Sequence, residues 1–412
     1  MNVLRTLEPK TRKDLGVLFT TGLLFWSSLA SLLPILPLYI ESLKGTSQDI
    51  GIVMGAFAIG LLVFRAQIGR IADQRGRKGV LFLGMGVATL APLGYYFVQS
   101  IPLLIAIRAF HGISIAAFTT AYSALVVDIS PERTRGELIG YMTLVNPLGV
   151  AIGPALGGWV QAWAGYGPMF LISSALGMVG LVCTMQVQES QTMREVPPRD
   201  RTVPERFWSM LFEPRMRIPA IVLLIVGIAF GTLSTFAPLL IKESQVGLNP
   251  GLFYTAAAVA SFSVRLFTGR ASDRYGRGLF MTISLLLYAV SMVILWSATS
   301  ATAFLVGAFL EGAGAGMLIP MTAALLADRS HPHERGRTFG LCMVGFDLGM
   351  AIAGPTLGSV ADQIGYRNVF GVVAILVCLD ILIFLIFSSK DPRRSFQFAL
   401  GQGQDLYALP RA

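Results

Sequence analysis

Twelve apolar runs divide this chain of 412 residues, each about 20 residues or more, enough for a helix to cross roughly 30 Å of hydrocarbon. They lie at about 16–40, 50–70, 79–98, 102–127, 137–161, 167–187, 218–240, 250–270, 279–298, 302–327, 338–361 and 367–388. Only helices and closed barrels satisfy their backbone in lipid, and the alternating pattern of barrel strands is absent. The first run is too long for a cleaved signal peptide and has no convincing small-residue cleavage site, so it reads as an uncleaved span. The expectation is an all-α polytopic membrane protein with twelve transmembrane helices.

Composition agrees. Hydrophobic residues make up 54% and charged residues 13%, against about 25% charged in soluble domains. A soluble globule, a disordered chain, a coiled coil and a secreted disulfide scaffold are excluded. The net charge of +9 fits either a nucleic-acid binder or a membrane protein with basic inner loops. Placing both termini in the cytoplasm puts 28 of the 32 lysines and arginines at the inner side. Lys44, Lys242 and Arg367 remain outside, and Arg108 lies within a span. That asymmetry predicts the orientation, a multi-pass protein of the plasma (bacterial inner) membrane. With the charge split among seven loops and tails, no nucleic-acid partner is expected. Trp159, Trp163 and Trp296 fall at outer span ends, as an interfacial aromatic belt requires. Cys183, Cys342 and Cys378 lie within spans and read as small packing residues.

A shift of 200 residues superimposes the two halves. Arg65 falls on Arg265, Asp73 on Asp273, Gly76-Arg77 on Gly276-Arg277, Asp128 on Asp328, Gly140 on Gly340 and Gly165-Tyr166 on Gly365-Tyr366. Polar loop residues that match in register are not a by-product of hydrophobicity. The expectation is two pseudo-symmetric six-helix bundles in the same orientation: 1–187 and 218–390, joined by a cytoplasmic linker at 188–217 and followed by a tail at 391–412. Within the linker, Phe207 to Phe212 reads as a short helix along the inner membrane surface.

Between spans 2 and 3, Gly69-Arg70-Ile71-Ala72-Asp73-Gln74-Arg75-Gly76-Arg77-Lys78 resembles the loop signature of the major facilitator superfamily, and Gly269 to Arg277 repeats it between spans 8 and 9. Gln74 and Gly278 depart from the pattern, each standing where the family has a basic residue. Physically, Gly76 permits a sharp turn after the helix bearing Asp73. Arg77 reaches back towards Asp73 and across to Asp128; Asp273, Arg277 and Asp328 repeat the triad. The resemblance implies that this network latches the inner side in the outward-facing state. The alternative is a loop that fixes topology, with ion pairs of little energy.

Span 5 carries Gly149, Gly153, Pro154, Gly157 and Gly158. Glycines spaced by four residues flatten one helix face for close packing, and a proline permits a kink. The pattern resembles the motif of the superfamily's antiporter branches, above all the twelve-helix drug:proton exporters; Gly354-Pro355 echoes it in span 11.

Ionisable groups inside a span are costly and each is a functional candidate. Arg108 and His111 share one face of span 4. Arg108, Gly112 and Ala116 match the family's span-4 signature, whose arginine is implicated by resemblance in proton handling. His111 is either a titrating group or a hydrogen-bonded structural histidine. Glu311 occupies the register of His111 in span 10, and Asp347 lies near the middle of span 11. Either carboxyl is a candidate proton carrier or the member of a static pair. Asp380 in span 12 reads as structural, and the pair His331 and His333 lacks a third ligand for a metal.

The chain therefore reads as a secondary active transporter working by alternating access. It is expected to be a proton-coupled efflux antiporter of a small organic molecule, drug-like compound or metabolite, functional as a monomer, with protons, the small-molecule substrate and the lipid bilayer as partners. The alternatives are a proton symporter or facilitator importing a sugar or other metabolite, and an exporter of an endogenous siderophore. No enzyme, metal or cofactor is expected, since the spans hold no nucleophile with its base. No ATP-binding loop of the Gly-x-x-x-x-Gly-Lys type is present.

Overall fold

A computed structural model describes residues 7–187, 212–331 and 334–409. Fourteen α-helices occur among them, with no strand. In the first half these are α1 (Pro9–Ser31), α2 (Leu36–Ser42), α3 (Ser47–Arg75), α4 (Arg77–Phe97), α5 (Ile101–Ile129), α6 (Arg135–Met142), α7 (Val145–Ala164) and α8 (Tyr166–Met185). The second half has α9 (Pro214–Glu243), α10 (Pro250–Tyr275), α11 (Arg277–Ser297), α12 (Ala301–Asp328), α13 (Arg335–Phe387) and α14 (Pro392–Ala399). The Phe207 to Phe212 surface helix falls almost wholly outside the described residues, as does His333.

Eleven helical segments among the described residues are long and apolar enough to cross a membrane. The last, α13, has 53 residues and would extend to about 80 Å if continuous. It is broken at Gly365, where φ is 80° and ψ 158°, between the eleventh and twelfth runs of the sequence. The protein is a multi-pass, all-helical integral membrane protein. Its sharp turns obey the 200-residue repeat: Gly76 and Gly276 have φ of 95° and 92°, and Gly165 and Gly365 have φ of 86° and 80°. An L side chain is strained there and glycine is not, so the chain reverses at the same places in each half.

The chain divides into two compact units, Met1–Gly45 with Ile52–Arg199 and Asn249–Thr255, and Thr46–Gly51 with Asp200–Leu248 and Ala256–Ala412. In the first, α1 packs on α7 and α8, while α4 packs on α5 and α8. In the second, α9 packs on α13, and α11 on α12 and α13.

Lipid tails are as apolar as leucine, so helices associate in a membrane chiefly by close packing of small residues and by hydrogen bonds. The glycines of α7 do this. Gly149, Gly153 and Gly157 lie against the α1 backbone between Trp26 and Ser31, with no room for a Cβ. Gly227, Gly345 and Gly349 do the same between α9 and α13. Within the first unit, Phe25 stacks on Phe118 with ring centroids 3.8 Å apart, and Phe118 on Tyr122 at 5.0 Å. Trp159 and Trp163 are 70% and 84% exposed, as residues meeting the membrane interface would be. The three cysteines are free thiols.

Candidate functional site

Close helix crossings adjoin the buried ionisable groups of both units. Gly112 of α5 abuts the Phe57 carbonyl of α3, and Gly312 of α12 abuts the Ala257 carbonyl of α10. The four positions are related pairwise by the 200-residue shift. In each unit the residue just before that glycine is the ionisable one, His111 or Glu311.

In the first unit Arg108 and His111 form one buried cluster with Tyr95 of α4 and Phe57. Arg108 is 4% exposed and His111 not at all. Tyr95 Oη lies 3.1 Å from His111 Nδ1 and also meets the Arg108 guanidinium. That guanidinium sits 4.3 Å from the centroid of the Phe57 ring, which stands edge-on to the imidazole at 5.6 Å. A cation over an aromatic face is stabilised by the ring quadrupole, more so when desolvated. His111 Nε2 and Arg108 Nε and Nη1 find no hydrogen-bond partner among the described residues. The cluster thus holds a guanidinium, an imidazole and unused polar atoms in a buried setting.

In the second unit Glu311 is 6% exposed and hydrogen-bonds Tyr288 of α11. It forms no ion pair among the described residues. Tyr288 is not the register mate of Tyr95; it stands seven residues away from that position, about two turns along the helix. Both units still hold the residue at 111 or 311 with a tyrosine from the preceding span. Asp347 is 3% exposed on α13; its neighbours Phe346 and Gly349 face α9. Asp380 is fully buried, and neither of its carboxylate oxygens has a hydrogen-bond partner among the described residues.

The loop motifs gather at one end of each unit. Arg77 pairs with Asp128 and donates through Nη1 to the Ala124 carbonyl at 3.1 Å. Lys78 Nζ donates to the Met185 carbonyl at the end of α8, at 2.9 Å. Asp73 is exposed and makes no ion pair among the described residues. The second half completes the triad: Arg277 pairs with Asp328 through Nε and with Asp273 at 3.3 Å. Gly69 and Gly269 have open space around them, so packing within their units does not demand glycine. Pro154 and Gly158 are buried in α7.

Two elements around the buried ionisable groups are not legible from the motifs. One is the pair of tyrosines: Tyr95 reads in the sequence as one of many aromatic candidates, and nothing singles out Tyr288. The other is Arg329, 1% exposed at the end of α12. Its signal was available, since the first half has Ile129 at that register.

Comparison with known proteins agrees with this architecture. The sequence matches the Major Facilitator Superfamily over residues 18–270 and 245–406. It is 27% identical to the staphylopine export protein of Staphylococcus aureus, over 91% of this chain and 96% of that protein. It is 25% identical to the multi-drug resistance efflux pump PmrA of Streptococcus pneumoniae, covering 92% and 97%. Its fold resembles the nucleoside transporter NupG, with a TM-score of 0.75 at 14% identity, covering 92% of this chain and 98% of that one. With a family match across nearly the whole chain and the repeat visible in its turns and crossings, the protein belongs to the Major Facilitator Superfamily of membrane transporters.

Proposed function

We propose that the protein is a proton-coupled efflux antiporter that exports a small organic molecule by alternating access. The observation that carries the proton half is Glu311: a carboxyl buried in a membrane span, held by a tyrosine, without an ion-pair partner among the described residues. An ionised carboxylate so placed costs several kcal/mol, so gain and loss of a proton change how it fits its surroundings. Asp347 is the second candidate carrier, and the Arg108–Tyr95–His111 cluster is the polar site of the other unit. The export half is supported by relatives whose names describe export and efflux.

The same reading puts both termini, and the ends bearing Gly76 and Gly276, on the cytoplasmic face of the bacterial inner membrane, by the distribution of lysine and arginine. It takes 1–187 and 218–390 as the two six-helix bundles and the monomer as the working unit. Arg77–Asp128 and Arg277 with its two acids then act as inner-side latches. A single dedicated substrate, rather than a range of drugs, is the second reading; the match to a staphylopine exporter favours it.

The test is proton flux in everted vesicles. With the lumen acidified, an exported compound should elicit proton release. Glu311→Gln should abolish that release while leaving insertion intact, and Asp347→Asn identifies the second carrier. Uptake in cells without substrate-induced proton release would overturn the export reading. Unchanged coupling in both variants would remove both carboxyls.

A further inference from the structure

The last nineteen described residues, 391–409, fold back onto the second unit and close around Arg329. Asp391 starts the return: its side chain accepts the Arg394 N–H at 2.9 Å, with Pro392 in the first turn. An N-cap carboxylate followed by proline is a strong helix start. Gly401, with φ of 72°, ends α14. The Gly401 N–H donates to the Phe398 carbonyl at 3.0 Å, and the Gln402 N–H to the Gln397 carbonyl at 2.8 Å. These are the paired bonds of a Schellman stop, and they turn the chain towards Arg329.

Every nitrogen of the Arg329 guanidinium then donates a hydrogen bond. Nε and Nη2 grip the two carboxylate oxygens of Asp405 at 2.7 and 3.0 Å. Nη1 donates to the Arg215 carbonyl at 2.9 Å, and Nη2 also to the Ser388 carbonyl at 3.1 Å. The ring of Tyr407 lies 5.1 Å from its carbon. Arg215 returns a bond to the Arg329 carbonyl at 3.0 Å. Four segments therefore meet at one buried cation: the start of α9, the ends of α12 and α13, and residues 405–407. The Leu409 N–H donates to the carbonyl of Asp328 at 2.9 Å, and Asp328 is the acid that holds Arg277.

The two halves reach this end by an exchange of residues. In the first, Lys78 caps the Met185 carbonyl at the end of α8. In the second, its counterpart is Gly278, and the Phe398 carbonyl of the tail lies where a Cβ would go. The carbonyl beyond α13, that of Ser388, is taken instead by Arg329, whose first-half counterpart is Ile129. Lys78 with Ile129 is replaced by Gly278 with Arg329, and the replacement makes both the seat and the anchor for the tail.

We propose that Asp405 is a positioning residue of the transport cycle: through Arg329 and the 391–409 strap it sets Asp328 against Arg277. This rests on the reading of Arg277 and Asp328 as a latch. Hydrogen exchange and transport on the full-length protein test it. Asp405→Asn should raise amide exchange at the end of α12 and the start of α11. It should lower the maximal transport rate about tenfold, or roughly 1.4 kcal/mol in the barrier, with KM unchanged; Asp405→Glu should restore both. Exchange that rises only in residues 391–409, or an unchanged rate, overturns the proposal. Should Asp405→Asn fail to fold, Leu409→Pro removes the N–H that meets Asp328 and keeps the Asp405–Arg329 pair; normal exchange at Asp328 in that variant also overturns it. If the wild type moves no compound tried, the antiporter reading fails, and the exchange data still decide whether the strap acts on Asp328.

Discussion

Tyr95 Oη meets His111 Nδ1 at 3.1 Å, so the imidazole of α5 is held by another span of its own unit. Tyr95→Phe removes that partner and the contact to Arg108 together. Leaving a buried polar group unpaired costs about 1–3 kcal/mol. The variant should melt at a lower temperature in detergent. An unchanged melting temperature would mean that the imidazole had another partner.

Gly112 and Gly312 should each reject even a methyl group, because the atom facing them is a backbone carbonyl that has nowhere to move. Gly112→Ala and Gly312→Ala are expected to destabilise by about 1–3 kcal/mol through overpacking. Gly140→Ala, at a site with open space, is the control and should be close to neutral. Equal stability of all three variants would contradict the close crossings.

The two acids on Arg277 should differ in weight. The Asp273 side chain is 67% exposed and that of Asp328 31%. Asp273→Asn should change stability by less than about 1 kcal/mol, as exposed pairs do. Asp328→Asn loses a less solvated, charge-assisted bond and should cost about 1.5–3 kcal/mol. Thermal unfolding of the two variants, at low and high salt, measures the difference; a larger loss for Asp273→Asn would reverse the assignment.

Gly278→Lys restores the residue type of the first half and should expel the tail. Limited trypsin digestion would then cut at Arg393 and Arg394 much faster than in the wild type. Protection equal to that of the wild type would show that a side chain fits at this position beside the Phe398 carbonyl.

The fold was legible to the extent that it repeats. Span positions follow from hydropathy, and the turns at Gly76, Gly276, Gly165 and Gly365 follow from glycines that recur at a fixed interval. The Arg277 triad was legible for the same reason, and the Arg77–Asp128 pair with it. Tyr288 was not, because the partner of Glu311 depends on how two antiparallel helices slide past each other, and its position breaks the repeat by two turns. The strap was not, because its evidence lay in two departures, Gly278 and Arg329, that make sense only together. On sequence alone Arg329 is one more basic residue at a helix end; its contacts with Asp405, Ser388 and Arg215 set it apart.

The bond between Arg329 and Asp405 also has a place in time. The partners are separated by 76 residues. At about 5–20 residues per second, synthesis of the intervening segment takes roughly 4–15 s. Most of that interval is spent on α13, and Asp405 has not yet been made. The Arg329–Asp405 pair therefore forms only after α13 has been made. Interruptions or fusions placed between Arg329 and Asp405 should for that reason act on biogenesis as much as on the finished transporter.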